Sequence, residues 1–384
     1  MIQIYQPQLG KEELKAIEKI FKSNWIGKGK VTEEFLKHYR KIITSDCYDG
    51  MLFTQPNTNQ LTTINCCTEG LFQSMDLFDI KEGDEVILPS IHWVGAGNAI
   101  MYKKATPVFC DVDKNTLNAT VESIEKLITP KTKAVIILHY AGVPCDIVGI
   151  STLCKSKNIK LIEDNANSPF SKVYNQNTGT FGDLGIWSFD AMKIITAGDG
   201  GMIYSKDEEL IEKLNKMTYL GWDSSSSEKP IESKWWEYNV LVPGRRSIMN
   251  DIQSSIGLEQ LKKHRTFISR RKEVHEIYSE EMKDLDWLDL PKPIKKGYET
   301  SYYMYHVQTK NAEDRDNLAR HLRKNEVYTA FRYYPLHKID FYNSNAKLPN
   351  TDYAENHTLC IPLHQSLTNK DVDKVITTIK SFKK

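Results

Sequence analysis

The chain has 384 residues, 40% of them hydrophobic and 26% charged, which is length and apolar content enough for a proper core in one large or two smaller domains. Lys plus Arg (51) nearly cancel Asp plus Glu (50), so no global field draws the protein to nucleic acid or to an anionic membrane. Met1-Ile2-Gln3-Ile4-Tyr5-Gln6-Pro7 lacks the basic start and long apolar stretch of a signal peptide, and the most apolar run, Ala134–Leu138, is far too short to span a bilayer, so a cytoplasmic protein is expected.

Residues 11–22 place Leu14, Ile17, Ile20 and Phe21 on one helical face and predict an amphipathic helix. From residue 62 to 204, β-rich runs alternate with helical stretches: 62–66, Glu85–Leu88, Thr106–Cys110, Ala134–Tyr140, Ile159–Ile162, Gly185–Phe189 and Gly201–Tyr204. Such alternation predicts an α/β layer around a largely parallel sheet, and runs apolar throughout suit strands covered on both faces. Ser224–Ser227 reads as a low-complexity surface loop. A long helical pattern begins near Met249 and continues to about Met282. Beyond it a smaller α+β segment is expected, with a strand at Ser301–Gln308, a helix at Ala312–Asn325 and a closing helix at Asn369–Phe382. A boundary near Pro243-Gly244 divides the chain into a large domain, 1–244, and a linking helix with a small domain, 245–384. The seven cysteines are scattered and contain no Cys-x-x-Cys pair, so neither a disulfide framework nor a metal site is indicated.

The chemistry gathers around Lys193. It follows the run Gly185–Met192, with Ser188 inside it, and precedes Gly198, Gly200 and Gly201, where the backbone can turn sharply and approach a ligand. Upstream, the run Ile159–Ile162 ends in Glu163-Asp164. A strand-end acid followed by a serine and a lysine after the next strand is a cue for pyridoxal phosphate. The lysine amine can join the cofactor's aldehyde, and the carboxylate can keep the ring nitrogen protonated so that the ring accepts electrons. Asp164 could equally cap a following helix. Asn167 could donate to the cofactor's phenolic oxygen or simply occupy a turn. Cys67-Thr68-Glu69-Gly70-Leu71 opens a helix whose N-terminus suits a phosphate, unless Thr68 is only its N-cap. Trp93, just past a strand, could stack on a planar cofactor or pack into the core.

The order and wording of these motifs resemble the DegT/DnrJ/StrS-type sugar aminotransferases along nearly the whole chain. The resemblance is carried by Gly83–Ser90, Glu163-Asp164, Gly179–Asp183, Ser188-Phe189 with Lys193, and Gly200-Gly201. To these it adds Asp251-Ile252-Gln253 with Gly257 and Gln260-Leu261, Tyr334–His337, and Ile361-Pro362-Leu363. It implies the pyridoxal-phosphate-dependent transferase fold of type I, a seven-stranded mostly parallel sheet plus a small carboxyl-terminal domain, in a homodimer with shared active sites. It implies that Lys193 carries the cofactor covalently, that Asp164 binds the ring nitrogen, and that Asn167 stands near the phenolic oxygen. Thr68, Glu69 and Ser188 match its phosphate-binding positions and Trp93 its stacking aromatic. The implied reaction transfers an amino group from an amino acid, with L-glutamate the expected donor, to a keto group of a nucleotide-linked deoxysugar, for surface polysaccharide or glycan synthesis.

Three departures stand out. Arg246, beside Arg245, occupies the place of an Asn that reaches the neighbouring subunit's phosphate; Cys67 replaces a Gly; Asn165 replaces a small residue. The segment around residues 44–60 also reads as an insertion of about a dozen residues, longer than a minimal connector. Two alternatives accompany the main reading. The paired Arg245-Arg246 and the insertion would suit a small phosphorylated ketone, such as dihydroxyacetone phosphate. A dehydratase or regulator on the same fold is the other, although dehydratase relatives have His where this chain has Lys193.

Overall fold

The computed structural model of the chain describes residues 1–44, 60–223 and 230–383. The insertion read around residues 44–60, apart from its two ends, and the serine run Ser224–Ser227 lie outside the described residues.

Two helices lead, α1 (Lys11–Lys22) and α2 (Lys30–Thr44). The alternating region follows as β1 (Leu61–Ile64), α3 (Cys67–Leu77), β2 (Glu85–Pro89), α4 (Val94–Tyr102), β3 (Thr106–Cys110), α5 (Val121–Glu125), β4 (Thr132–Leu138), α6 (Ile147–Ser156) and β5 (Lys160–Asp164). A short hairpin, β6 (Lys172–Val173) and β7 (Gln176–Asn177), precedes β8 (Leu184–Ser188), β9 (Gly201–Tyr204) and α7 (Glu208–Thr218). Next come α8 (Asp251–Lys262), α9 (His264–Met282), β10 (Leu288–Asp289), β11 (Tyr298–Glu299) and β12 (Tyr305–Thr309), then α10 (Ala312–Lys324), α11 (Pro349–His357), β13 (Thr358–Ile361) and α12 (Asn369–Lys380).

All seven β-rich runs become strands of one sheet, in the order β1-β9-β8-β5-β4-β2-β3. Only β9 runs against its neighbours, pairing antiparallel with β1 and β8, and the other adjacent pairs are parallel. The fold is therefore α/β with a mostly parallel seven-stranded sheet. Helices cover both faces, which is why the strands are apolar throughout: every residue of β1, β8 and β9 is buried. Strand β4 ends two residues earlier than its apolar run, because Ala141 and Gly142 turn the chain with φ of 57° and 88°. A side chain at Gly142 would collide with Ser301, so the turn requires glycine there.

The amphipathic reading of α1 needs correction. The helix forms, but Leu14 and Phe21 are 69% and 61% exposed, and its buried residues are Glu13 and Ile20. Glu13 is drawn inward because its carboxylate accepts from Gln260 Nε2 at 2.8 Å and from Lys263 Nζ at 2.7 Å. The long pattern 249–282 is likewise two helices. Lys263 breaks it, bonding back to Gln260 through a tighter turn while its ammonium is held by Glu12 and Glu13.

The residues Asp251, Gly257 and Gln260 dock α8 onto the amino-terminal helices. Asp251 accepts from the Gly29 and Thr32 amides, each at 2.9 Å, and so caps α2. A side chain at Gly257 would meet the Phe35 ring at 2.7 Å, so helix α2 approaches there as closely as glycine allows. Strands β10, β12 and β13 form a small antiparallel sheet over a core of its own that includes Val274, Tyr278, Leu318, Val375 and Ile379. The expected strand Ser301–Gln308 is ordered as a strand only from Tyr305, since Tyr302 has a positive φ of 50° and Tyr303 turns to bond Ala141. The first residues join this unit, with Ile2 N–H donating to Glu326 O at 2.7 Å. Among the described residues no helix is long and apolar enough to cross a membrane.

Candidate active site

The carboxyl ends of β4, β5 and β8 meet the N-terminus of α3 in a cleft of about 220 Å³, closed by the loop 189–200 and by Tyr303, Arg332 and Tyr333. This is where a parallel sheet offers its ligand-binding crevice. Thr68, Trp93, Asp164, Ser188 and Lys193 all line it.

Asp164 ends β5 and is 2% exposed. Its Oδ1 accepts from the Ala166 amide at 2.9 Å and from the Cys67 thiol at 3.8 Å, so its hydrogen bonding closes a local turn and does not cap a helix. Burial, reinforced by Asp164, pushes the Cys67 thiol well up and keeps it a donor. His92 Nε2 lies 3.7 Å from Asp164 Oδ2 and has no hydrogen-bond partner. Burial lowers the His92 pKa although Asp164 pulls the other way.

Lys193 stands on the β8–β9 loop, half-buried, with Nζ 3.4 Å from Tyr303 Oη and 5.0 Å from the centre of that ring. Burial opposes its charge, but Tyr303, Tyr333, Cys67 and Asp164 overcome that and raise its pKa above the usual lysine value. Burial pushes Tyr333 up to about 12 against the pull of Lys193, so the phenol stays protonated and donates to Asn167 Oδ1 at 3.4 Å. Asn167 is fully buried, and its Nδ2 has no partner. Asn165 braces the same turn, with Nδ2 donating to Glu163 O at 3.1 Å and Oδ1 accepting from Ser168.

Helix α3 begins at Cys67 with Cys66 as its N-cap; the Cys66 sulfur takes the Glu69 amide at 3.4 Å. Thr68 lies in the first turn and is not the cap. Trp93 is 46% exposed and meets Tyr333 edge-on, 6.0 Å between centroids. Its ring therefore faces the cleft and does not fill a core.

Three expected residues do not line this cleft: Asn167, which lies against Tyr333, and Glu69 and Arg246. The Glu69 carboxylate bonds Arg245 Nε at 2.7 Å and Gln73 Nε2 at 3.0 Å. Arg246 is exposed, its guanidinium 5.0 Å above the Tyr219 ring. Arg245 also pairs with Asp76 at 3.0 Å, so the two arginines do not form one phosphate pocket within the chain, and the motive for a small phosphorylated ketone loses half its basis. Sequence reasoning missed His92, Tyr303, Arg332 and Tyr333. Three of these come from the small-domain side, and only nearness to the Tyr334–His337 motif could have pointed to Arg332 and Tyr333.

These residues fit pyridoxal phosphate. A strand-end carboxylate, a lysine with no carboxylate bonded to it among the described residues, a first helical turn and an exposed aromatic ring surround one cleft, and the unpaired amide donor of the buried Asn167 lies against Tyr333 on its wall.

A profile of the DegT/DnrJ/EryC1/StrS aminotransferase family matches residues 7–380. The chain belongs to this family. It is an aminotransferase, and its cofactor is pyridoxal phosphate. The chain is 41% identical over 377 residues to the dTDP-4-dehydro-2,3,6-trideoxy-D-glucose 4-aminotransferase of Saccharopolyspora spinosa, covering 98% of this chain and 95% of that one. It is 32% identical over 383 residues to the GDP-perosamine synthase of Escherichia coli O157:H7, covering 99% and 98%. Among solved structures it resembles the aminotransferase TlmJ from Streptoalloteichus hindustanus, with a TM-score of 0.92, 42% identity and coverage of 99% and 98%. This family likeness and the seven-stranded sheet agree with the transferase fold of type I expected above.

Proposed function

We propose that the protein transfers an amino group from an amino acid, with L-glutamate the expected donor, to the keto group of a nucleotide-linked deoxysugar. The observation that carries this reading is the shared cleft of Lys193 and Asp164 in a chain whose full-length relatives include enzymes named for dTDP-linked and GDP-linked sugars. Pyridoxal phosphate, when bound, supplies an aldehyde that captures the amine and a ring that accepts an electron pair.

The rest falls to side chains. Lys193 would hold the cofactor and, with its amine free, would move a proton between two carbons. Asp164 keeps the ring nitrogen protonated, with Cys67 fixing the carboxylate. Asn167 would offer its spare N–H to the phenolic oxygen, Trp93 would cover a ring face, and Ser188 with Thr68 and the first-turn amides of α3 would hold the phosphate. Glu69 acts on this site indirectly, through the Arg245 pairing that anchors α3. Arg332 has no carboxylate bonded to it among the described residues and lies against Tyr5 at 5.5 Å, which suits it to a substrate anion.

Two copies are needed for the site as we read it. Arg246, exposed above Tyr219, would serve a partner's phosphate, and exposed Trp25, Ile26, Trp236 and Tyr238 would supply apolar surface for a homodimer.

The test is Lys193→Ala. It should hold no covalently linked cofactor and show no transamination when a panel of keto sugars and ketose phosphates is screened by product mass. Turnover at the level of the unmodified enzyme would end the reading, and a preference for ketose phosphates would reassign the acceptor.

A further inference from the structure

Behind the cofactor cleft lies a group of side chains the transamination does not use. Glu163 precedes Asp164 on β5, and successive residues of a strand face opposite sides of the sheet. Its Oε1 accepts from the Phe181 and Gly182 amides at 2.8 and 2.7 Å, and its Oε2 from the Gly179 amide at 2.7 Å. Oε2 also meets His139 Nε2 at 3.2 Å. A saturated carboxylate accepts only, so Nε2 carries a proton and Nδ1 turns away from Glu163. There Nδ1 meets the Cys145 sulfur at 3.3 Å and takes the Cys145 amide at 3.2 Å. An acid, an imidazole and a thiol are thus in line, each within hydrogen-bonding reach of the next.

Cys145, 3% exposed, lines a second cavity of about 340 Å³, between the loop 115–122, the turn 141–146 and the segment 291–306. Apolar groups form much of the wall, among them Ala141, Val143, Pro291 and Met304. Among the described residues, one buried side-chain atom on its wall lacks a hydrogen-bond partner. His306, 4% exposed, directs Nε2 to Asn115 O at 3.1 Å, and its Nδ1 has no partner. Since a carbonyl only accepts, Nε2 bears the proton and Nδ1 is an acceptor waiting for a donor.

We propose that Cys145 is a nucleophilic thiol with His139 as its base, and that the cavity beside it is a covalent modification site for small conjugated amides. Sulfur adds to the β-carbon of the conjugated bond while the thiol proton passes to His139 Nδ1. The C=C electron pair shifts toward the carbonyl, and His139 returns the proton to the α-carbon, so no leaving group or oxidant is involved. The amide N–H supplies the donor that His306 Nδ1 lacks. Burial pushes the Cys110 and Cys154 thiols up to about 12.

The test treats the cofactor-loaded enzyme with acrylamide under native conditions and follows each cysteine peptide by mass. Cys145 should be modified at least tenfold faster than Cys110 and Cys154. Ile294→Trp, a half-buried residue of the cavity wall, should slow Cys145 at least tenfold with transamination unchanged, and His139→Asn should slow it as much. Modification of Cys145 no faster than Cys110 and Cys154 overturns the proposal, as does a rate indifferent to Ile294→Trp. The Ile294→Trp comparison decides alone if His139→Asn does not fold.

Discussion

Glu163 and Asp164 are neighbours in sequence with opposite surroundings. Glu163 is enclosed by three loop amides, which explains why the glycines of Gly179–Asp183 sit where they do: the loop must wrap a carboxylate closely. Asp164 keeps one oxygen without a hydrogen bond, facing His92 across 3.7 Å. The same asymmetry sets Asn167 apart, since its carbonyl end is occupied by Tyr333 and its amide end is unpaired. A single neutral hydrogen bond contributes about 1 kcal/mol, so Asn167→Ala should weaken cofactor binding about fivefold. Titrating the cofactor-free protein by absorbance measures this; unchanged affinity would remove Asn167 from the site. The neighbouring helix start has a matching economy, for Cys66 caps it with sulfur, a weak acceptor, and leaves Thr68 free to face the cleft.

Helix α8 shows how one element organises others. Asn250 and Gln253 form its capping box, while Asp251, one residue on, serves a different helix by taking the amide of Gly29, just before α2, and the amide and hydroxyl of Thr32. Losing a cap costs about 1–2 kcal/mol, so Asp251→Ala should lower the melting temperature by a few degrees. Scanning calorimetry would show it, and an unchanged transition would mean water replaces the carboxylate. Helix α9 is tied to the cleft through Arg271, which is 1% exposed and spans Gln365 Oε1 and the carbonyls of Tyr302, Tyr303 and Leu363. It thereby holds the segment that sets Tyr303 beside Lys193. Burial lowers the Arg271 pKa to about 10, still high enough to keep the guanidinium charged near neutrality.

At the scale of the molecule, the parts read correctly from sequence are those whose cause is local. Runs such as Ala134–Leu138 announce strands because both faces are covered, and all seven such runs entered one sheet. Asp164 and Lys193 were legible as a strand-end acid and a lysine before glycines, and they do share a cleft. Tyr303, Arg332 and Tyr333 were not, because they reach it through the packing of the small sheet and carry no periodic signal. Leu14 and Phe21 misled for the converse reason: helical periodicity says that a face is apolar, not what covers it. Those two residues, with Trp25 and Trp236, argue for a second copy. Sedimentation should give twice the 44.2 kDa chain mass, and Trp236→Asp should shift the protein toward monomer with loss of turnover. A monomer with full activity would exclude shared sites.

The pinning of Ile2 has a consequence for folding. Its amide and carbonyl bond Glu326 and Tyr328, and Ile4 O receives the Leu363 amide at 3.4 Å. Ile2 and Tyr328 stand 326 residues apart (328 − 2) yet are joined directly. Contacts of such long separation carry the full loop-closure cost, so this seam closes only after the small sheet that it joins has formed.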